Sequence, residues 1–232
     1  MKESEDLFDQ YAAAYEDALS NALQPSGEGR EYFAEGRVAW LQRCLDELKL
    51  PVNSLLDFGC GDGATTPLLL QILNAQSAVG VDVSAKSLEI ARKQHGSKQI
   101  HFESIAEFQP AGQMDLAYCN GVFHHIVPAQ RAKALSLVHG ALRGGGLFSF
   151  WENNPWSLAT RYVMSRCAFD RDAIMLSPPG ARGLLKEGGF EILRTDFQFI
   201  FPKSLRALRK LEDWIYRAPL GTQYQILCRK TR

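Results

Sequence analysis

A glycine-rich loop at residues 57–63 is the part of the sequence whose residue types and spacing best indicate chemistry. Within DFGCGDG, the glycines are Gly59, Gly61 and Gly63, and Cys60 separates the first two. An apolar run, SLLDF, precedes the loop, and a helix-like run, TTPLLLQIL, follows it. Glycine permits a tight turn and lets backbone approach a ligand closely, while the start of a helix offers free N–H groups. The loop therefore predicts a site for a nucleotide-like ligand.

A carboxylate follows the loop at the end of the next predicted strand, where Asp82 lies in GVDVS. An acid about 20 residues beyond a glycine-rich loop is placed to accept hydrogen bonds from both hydroxyls of a ribose. The order strand, loop, helix, strand and acid therefore predicts an adenosine-type ligand rather than an ordinary turn.

Two adenosine-type ligands fit this loop. Gly59, Gly61 and Ala64 match the loose dinucleotide fingerprint, which accepts alanine at its last position. Asp57 favours S-adenosylmethionine instead, because a carboxylate repels a pyrophosphate but attracts an ammonium and a sulfonium group. Gly63 adds to this preference. The residues alone thus favour S-adenosylmethionine and keep the dinucleotide as the alternative.

The elements that must position the loop alternate regularly. The predicted strands are SLLDF, AVGVDV, IHFES, MDLAYCN and GLFSFWE, with helical segments between most of them. Such alternation predicts an α/β fold with a doubly wound, mostly parallel sheet of the Rossmann-like type and helices on both faces. The chain ends with FEILRTDFQFIF, SLRALRKLEDWIYRA and TQYQILCRK, which predict a strand, a helix and a last strand paired antiparallel within the sheet.

We expect one domain over residues 1–232. The pattern divides it into a helical cap at 1–50, a cofactor-binding core at 51–152, a substrate-side insertion at 153–189 and a C-terminal strand–helix–strand unit at 190–232. The cap and the insertion should lie above the carboxyl ends of the strands, because ligands bind there in open α/β sheets.

The composition argues against several classes of function. The chain has 232 residues, 46% of them hydrophobic, and a formal net charge of zero, so no basic surface for nucleic acid is expected. The five cysteines are scattered and no His/Cys cluster has zinc spacing, which predicts reduced thiols and no metal site. No run approaches the roughly 18 apolar residues of a membrane span. Because the chain starts with the acidic MKESEDLFDQ, we expect a cytoplasmic protein.

Over about residues 50–152 the chain resembles the class I S-adenosylmethionine-dependent methyltransferases, and within them the small-molecule group with type 11/12 domains. The resemblance is carried by LLDFGCGDG, VGVDVSAKSLEIARKQ, DLAYCNGVFHHI and ALRGGGLFSFWE. It implies S-adenosyl-L-methionine as the cofactor, a small-molecule acceptor and a sheet with a reversed last strand. The segment FDQYAAAYE resembles the N-terminal cap helix of that family.

The resemblance also implies roles for individual positions. Asp82 would hold the ribose hydroxyls, and Val83 would lie against the adenine. Ser104 and Ile105 stand where the family has an Asp-Ala pair, so the carboxylate that usually receives the adenine amino group is absent and Ser104 would accept that bond more weakly. The residues implied to line the methionine part are Asp57, Gly59, Cys60, Gly61 and Gly63.

The loop NGVFHH follows the fourth predicted strand and borders the methyl-transfer site in the resembled family. Imidazole suits a general base near neutral pH, so His124 and His125 are the candidates for removing a proton from an acceptor hydroxyl or amine. Alternatively, these side chains only brace the loop. Asn120 is predicted to orient the cofactor or the substrate, and Phe123 to shield the site from water. Transfer from a sulfonium is an in-line displacement and needs no metal.

Polar and aromatic residues follow the fifth predicted strand. Glu152, Asn153 and Asn154 end that strand at the expected substrate mouth, and Trp156 and Arg161 come next. This mixture suits a sugar or another hydroxylated acceptor. An irregular loop without substrate contact is the alternative.

The predicted cap supplies three further candidates for the cofactor. Tyr11 and Tyr15 share one face of the first predicted helix, at residues 5–23, and would cover the cofactor unless they are core aromatics. Arg37, on the second predicted helix, is a candidate partner for the cofactor carboxylate, although surface arginine is the commoner outcome.

The predicted helix at residues 204–218 is amphipathic and basic. Its leucines, Leu205, Leu208 and Leu211, share one side with Ile215. We expect that side to pack on the sheet while the other faces solvent. The alternative is a helix that lies on a membrane or meets a lipid-linked substrate.

Taken together, the residues predict an enzyme that transfers a methyl group from S-adenosylmethionine to an oxygen or nitrogen of a small molecule, such as a sugar or a lipid-linked intermediate. One rival is an NAD-dependent oxidoreductase with a similar sheet. The other is a relative that binds the cofactor without catalysis.

Overall fold

The computed structural model of the chain describes residues 22–167, 170 and 172–231. At its centre is a seven-stranded sheet with the order β3-β2-β1-β4-β5-β7-β6. The strands are β1 Ser54–Phe58, β2 Ser77–Asp82, β3 Ile100–Ser104, β4 Met114–Asn120, β5 Leu142–Asn153, β6 Phe190–Gln198 and β7 Gln223–Lys230. The predicted helix at 5–23, with Tyr11 and Tyr15, falls almost entirely outside the described residues.

Helices connect these strands along both faces of the sheet. The α-helices are α1 Arg30–Leu48, α2 Thr65–Ile72, α3 Ala85–His95, α4 Pro128–Ala141, α5 Leu158–Arg166, α6 Pro178–Glu187 and α7 Glu212–Ile215. The 3-10 helices whose bounds the described residues define cover Gln24–Ser26, Phe123–His125 and Lys203–Leu211. Ser84 caps α3, as its position before the helix predicts, by accepting a hydrogen bond from the Ser87 N–H at 3.1 Å.

The strand directions confirm the predicted fold class. The pairs β1–β2, β1–β4, β2–β3 and β4–β5 are parallel, whereas β7 runs antiparallel to both β5 and β6. The last strand is therefore inserted between its neighbours, as the reversed final strand of the sequence pattern predicts. Because β1 to β6 all point the same way, their carboxyl ends form one edge of the sheet.

Two apolar layers hold the sheet, one on each face. Successive residues of a strand point to opposite faces, so Leu55 of β1 packs with Leu41 and Leu69 beneath α1 and α2. Its neighbour Leu56 packs in the other layer, which includes Leu135 of α4. Near-continuous apolar strands are what a parallel sheet covered on both faces requires.

Two segments differ from their sequence-based expectation. The stretch 153–189, expected to be irregular, contains α5 and α6. The predicted helix at 204–218 is largely a 3-10 helix, and none of the residues of Lys203–Leu211 is buried. The expectation that its leucines pack on the sheet is wrong, because α1 already covers that part of the sheet, with Leu41 packed in one cluster with Leu227.

Polar contacts attach this segment beside α1 instead. The Arg209 guanidinium donates to Glu28 at 2.9 Å and lies over the Tyr32 ring. Arg43 pairs with Asp213. Among the described residues, no helix combines the length and apolar character needed to cross a bilayer.

The apolar packing of α2, the helix after the glycine-rich loop, should contribute strongly to the free energy of unfolding. Leu69 on α2 is fully buried in the layer that also contains Leu55, so Leu69→Ala is expected to lower the free energy of unfolding by about 2–5 kcal/mol. Leu158→Ala is the matched control, since Leu158 is 78% exposed and its truncation should change stability by less than about 0.5 kcal/mol. Urea unfolding measures both. Equal losses in the two variants would contradict the packing described.

Candidate functional site

The glycine-rich loop connects β1 to α2 at the carboxyl edge and has the strained backbone that glycine permits. Gly59, Gly61 and Gly63 have φ angles of 76°, 55° and 78°. A Cβ on Gly59 would lie 2.3 Å from the Val122 side chain, so only glycine allows the loop after β4 to approach there. A Cβ on Gly61 would meet nothing within 4 Å, since this residue faces open space.

Hydrogen bonds fasten this loop to β2. The N–H groups of Gly59 and Cys60 both donate to the Val81 carbonyl, at 2.8 and 3.1 Å. The carboxylate of Asp82 accepts the Gly61 N–H at 2.9 Å and the Ser84 N–H at 2.9 Å. Burial raises the pKa of Asp82, and the backbone hydrogen bonds oppose that rise.

A cavity of about 410 Å³ opens at this edge, within the size range of cofactor sites. It extends from the glycine-rich loop to the start of α4. The predicted cofactor residues that line it are Arg37, Asp57, Gly59, Cys60, Gly61, Asp82, Val83, Ile105 and Asn120. Most of the predicted cofactor site is thus brought together by the fold.

Two predicted cofactor residues lie outside the lining. Gly63 instead packs near Phe102 and Ala91, where a Cβ would come within 2.7 to 2.8 Å of their side chains. The Ser104 hydroxyl accepts the Ala106 N–H at 3.2 Å and so caps the turn after β3.

Asp57 is buried at the head of the loop and accepts the Thr66 hydroxyl at 2.6 Å. Burial raises the pKa of Asp57 to about 7, Thr66 and Arg37 oppose this, and the charges of Asp82 and Asp62 add to it. Two close carboxylates in a buried pocket create a field that a cationic ligand relieves.

The pocket also contains polar groups that sequence reasoning missed. Tyr118 lines it one alternation before Asn120 on β4, and that two-residue spacing was the available signal. The Tyr118 hydroxyl accepts the Arg37 Nε–H at 3.1 Å. Arg30 at the start of α1 lines the pocket too and forms a bidentate pair with Asp62, at 2.8 and 2.9 Å.

One buried acceptor atom in the pocket lacks a hydrogen-bond partner in the described part of the chain. Asn120 Oδ1 has no hydrogen-bond partner among the described residues, although such buried acceptors are nearly always paired. Together with the carboxylates of Asp57 and Asp82, it gives the cavity acceptors for an ammonium group and for ribose hydroxyls. These residues fit the two polar ends of S-adenosylmethionine.

The two predicted catalytic histidines differ in position. His125 lines the cavity, whereas His124 is buried behind it. The Nδ1 atom of His124 lies 2.5 Å from Glu152 Oε2, and both imidazoles face Asp170, a residue that no sequence pattern singles out. Their side chains offer donor atoms within 4.8 Å of one another, close enough to hold a metal ion. The expectation of no metal site considered only spacing along the chain.

Burial and neighbouring charges shift the pKa values of His124 and His125 in opposite directions. Burial lowers the pKa of His124, but the Glu152 and Asp170 carboxylates outweigh it and raise that pKa to about 10. Burial and the neighbouring charge of His124 lower the pKa of His125 to about 4. The ring centroids are 4.1 Å apart, so the two imidazoles cannot easily both be positively charged.

Several residues expected at the substrate mouth are structural. Glu152 is buried and accepts the Phe123 N–H at 2.8 Å, so it braces the loop after β4 instead of facing a substrate. Phe123 is fully buried against Phe58 and Phe150, which places it in the core rather than over the site. These two placements correct the sequence-based roles, because burial turns both side chains inward.

The remaining substrate candidates also lie outside the cavity lining. Asn154 is buried and donates to the carbonyls of Pro219 and Gly221, at 3.3 and 2.7 Å. Asn153 accepts from the Gln223 amide at 3.2 Å. Trp156, just before α5, and Arg161, on α5, are exposed.

A second cavity, of about 540 Å³, lies at the opposite edge of the sheet. It is lined by residues such as Pro51, Asp115 and Arg143 at the amino ends of the strands. Ligands of open α/β sheets bind at the carboxyl ends, so the cavity at the glycine-rich loop is the functional candidate.

Comparison with known proteins agrees with this site. A solved S-adenosylmethionine-dependent methyltransferase from Thermotoga maritima has the same fold, with a TM-score of 0.66 over 98% of this chain and 99% of that one at 18% identity. A family profile described as a methyltransferase domain matches residues 56–148. An uncharacterised methyltransferase of Synechocystis sp. is 34% identical over 150 residues, 62% of this chain and 69% of the relative. The chain belongs to the class I S-adenosylmethionine-dependent methyltransferases.

S-adenosylmethionine is accordingly the cofactor of this methyltransferase, and the dinucleotide alternative is set aside. A further relative is the trans-aconitate 2-methyltransferase of Rhodopseudomonas palustris, 29% identical over 147 residues. That match covers 56% of this chain, which spans only 55% of the relative's length. The range matched by the family profile includes the glycine-rich loop, Asp82, His124 and His125.

Cofactor affinity should depend on pH through Asp57. S-adenosylhomocysteine carries an ammonium group that favours the ionised carboxylate, and the pKa of Asp57 is about 7. The ionised fraction falls as pH drops through 7, so the Kd is expected to rise about tenfold from pH 8 to pH 6. Calorimetry across this range measures it. Asp57→Asn should bind more weakly and lose most of the dependence, and an unchanged slope in that variant would contradict the assignment.

Proposed function

We propose that this methyltransferase transfers a methyl group from S-adenosylmethionine to an oxygen or nitrogen of a hydroxylated small molecule. The observation that carries the proposal is the continuity of the cavity. One end is formed by the glycine-rich loop and Asp82, and the other by His125, Gln130 and Lys133. Donor and acceptor can therefore meet inside one site, which is what an in-line displacement needs.

The cofactor supplies a methyl group bound to a positively charged sulfur. On the protein side, Asp57 and Asn120 accept hydrogen bonds from the ammonium, and Asp82 accepts them from the ribose hydroxyls. Val83 and Ile105 contact the adenine. Asp82 is already aligned by the backbone N–H groups of Gly61 in the loop and Ser84 at the start of α3, so little ordering of its side chain is required when the ligand binds.

The acceptor is assigned to the end of the cavity that contains His125. Of the two predicted catalytic histidines, only His125 lines the cavity, so His125 contacts the acceptor and His124 positions it from behind. Lys133 lines the same end and has no carboxylate partner among the described residues. A cation there suits an acceptor with negative charge, and one relative is named for the tricarboxylate trans-aconitate.

Calorimetry with S-adenosylhomocysteine and NADH tests the proposed cofactor site in solution. We expect one S-adenosylhomocysteine site per chain and no heat from NADH. Turnover is then measured with methyl-labelled cofactor and a panel of sugars, carboxylates and amines. Binding without transfer to any acceptor would favour the non-catalytic alternative, and binding of NADH alone would contradict the cofactor site.

The role of His125 predicts a separation of binding from transfer. His125→Ala should lower the rate of methyl transfer by about 100-fold or more. Its Kd for S-adenosylhomocysteine should stay within about twofold, because the cofactor half of the cavity is untouched. His101→Ala is the matched control, since His101 is exposed on β3, and it should change neither quantity. A His125→Ala enzyme with full activity would exclude this role.

One observation favours a lipid-linked acceptor over a free one. Leu205, Leu208 and Leu211 are exposed, and Trp214, three residues further on, is 84% exposed. In a 3-10 helix, residues three apart lie in one row, so Leu208 and Leu211 share one row, and the exposed Leu205 and Trp214 lie before and after it along the chain. Lys210 on the same segment has no carboxylate partner among the described residues, which suits an anionic surface.

Sedimentation with lipid vesicles separates the two acceptor classes. If the acceptor is lipid-linked, the protein should sediment with vesicles that contain phosphatidylglycerol more than with pure phosphatidylcholine vesicles. Leu208→Glu should reduce that binding, because a charge would interrupt the apolar row. Absence of sedimentation would restrict the acceptor to molecules free in solution.

A further inference from the structure

A compact group of donor atoms lies behind the acceptor end of the cavity. It consists of His124, His125 and Asp170, whose donor atoms all lie within 4.8 Å of one another. The side chains of His124 and Asp170 are only 3% and 7% exposed. The imidazoles come from the 3-10 helix after β4, and the carboxylate comes from the segment between α5 and α6. The fold thus brings together donors that are far apart in the sequence.

Two distances in the group are longer than typical hydrogen bonds between charged partners. Asp170 Oδ1 lies 3.5 Å from His124 Nε2 and 3.4 Å from His125 Nε2. Hydrogen bonds of this kind are typically about 2.7–2.9 Å long. On its other side, His124 Nδ1 approaches Glu152 to 2.5 Å, so the packing permits close contact where a direct bond exists. Asp170 Oδ1 therefore faces the Nε2 atoms of His124 and His125 at nearly equal distances, and both distances are longer than the one between His124 and Glu152.

That separation matches the edge of a tetrahedral metal site. Bond lengths of about 2.0–2.2 Å to nitrogen and oxygen, typical of zinc, place neighbouring donors about 3.4 Å apart at the tetrahedral angle. The same bond lengths around an octahedral ion give about 3.0 Å. The two separations from Asp170 agree with the tetrahedral value, the two imidazole donors lie within 4.8 Å of each other, and tetrahedral coordination by nitrogen and oxygen is typical of Zn²⁺.

The surroundings of His124 are those of a metal-bound imidazole. Glu152 accepts the Nδ1–H of His124 and also the Phe123 N–H, so the ring is fixed with Nε2 directed toward Asp170. A carboxylate behind a ligating histidine sets its tautomer and raises its basicity, which is the usual arrangement at zinc. Glu152 therefore has the position of an outer partner rather than of a ligand.

We propose that His124 Nε2, His125 Nε2 and Asp170 Oδ1 bind a Zn²⁺ ion at the acceptor end of the cavity. Three protein ligands leave the fourth tetrahedral position open, as in catalytic zinc sites. His125 also lines the cavity, so the ion adjoins the space assigned to the acceptor. His125 then acts as a ligand, and the proton of the acceptor leaves by another route.

The chemical role of the ion rests on the proposed methyl transfer, whereas its binding does not. An acceptor hydroxyl in the open position has a lowered pKa, and its proton passes to solvent. The electron pair of that oxygen forms the bond to the methyl carbon. The carbon–sulfur bond breaks, and sulfur keeps its electron pair as S-adenosylhomocysteine. The ion thereby replaces a free imidazole base.

Metal content and spectroscopy test the site. The full chain, without a histidine tag, is dialysed against Zn²⁺ and then against metal-free buffer, and we expect about one Zn²⁺ per chain by mass spectrometry of the metal. Co²⁺ in its place should give the intense visible absorption of tetrahedral coordination. Asp170→Ala and His125→Ala should each lower Zn²⁺ affinity by more than about 100-fold, while His101→Ala should leave it unchanged.

Each outcome decides the proposal. A wild-type chain that keeps no Zn²⁺, Co²⁺ spectra of octahedral type, or full affinity in both variants would overturn it. Circular dichroism and S-adenosylhomocysteine binding confirm that the variants are folded. A chain that binds S-adenosylhomocysteine but no Zn²⁺ refutes the metal site and leaves the proposed function intact, whereas the reverse result refutes the proposed function alone.

Discussion

The carboxylate of Asp82 is the interaction on which the site depends most. It accepts two backbone N–H groups, one from Gly61 in the loop after β1 and one from Ser84 at the start of α3. Two neighbouring strand ends are thereby fixed to each other at the proposed ribose site. The glycine-rich loop keeps its left-handed turns because this bond and the Val81 carbonyl hold its N–H groups. Loss of the carboxylate would free both at once.

The same edge of the sheet concentrates negative charge in a buried space. Asp57 and Asp82 are both desolvated, and burial raises the pKa of each. Such an arrangement is costly without a ligand and becomes favourable when a cation enters. This explains physically why the loop takes a sulfonium cofactor with an ammonium group rather than a pyrophosphate. The charge, more than the glycines, distinguishes this site from a dinucleotide site.

The sequence predicted the sheet, and it predicted that the cofactor candidates would lie at one edge of it, because both depend on local patterns. Alternation of strands and helices, together with the ends of β1 and β2, placed Asp57 and Asp82 at one edge. What sequence position does not show is the direction in which a side chain at the end of a strand points. Glu152 and Asn154 end β5 at the expected edge, yet both turn inward and are buried.

Contacts between segments that are distant in the sequence could not be predicted for a different reason. Asp170 belongs to an insertion whose position depends on tertiary contacts, so no spacing connects it with His124 or His125. The exposed 3-10 helix at 203–211 is a similar case, since its leucines have the period of a buried face. They remain outside because α1 already occupies the sheet.

The proposed acceptor half of the site is built from two segments that hydrogen bonds join. Ile174 donates its N–H to the His124 carbonyl at 2.7 Å. The Arg131 guanidinium donates to the carbonyls of Phe123 and Ile174, at 3.1 and 2.7 Å. The insertion after β5 is thereby fastened to the histidine loop after β4, and Asp170 is carried into place. Because the family shares its cofactor, differences in acceptor among related chains should arise where these two segments meet.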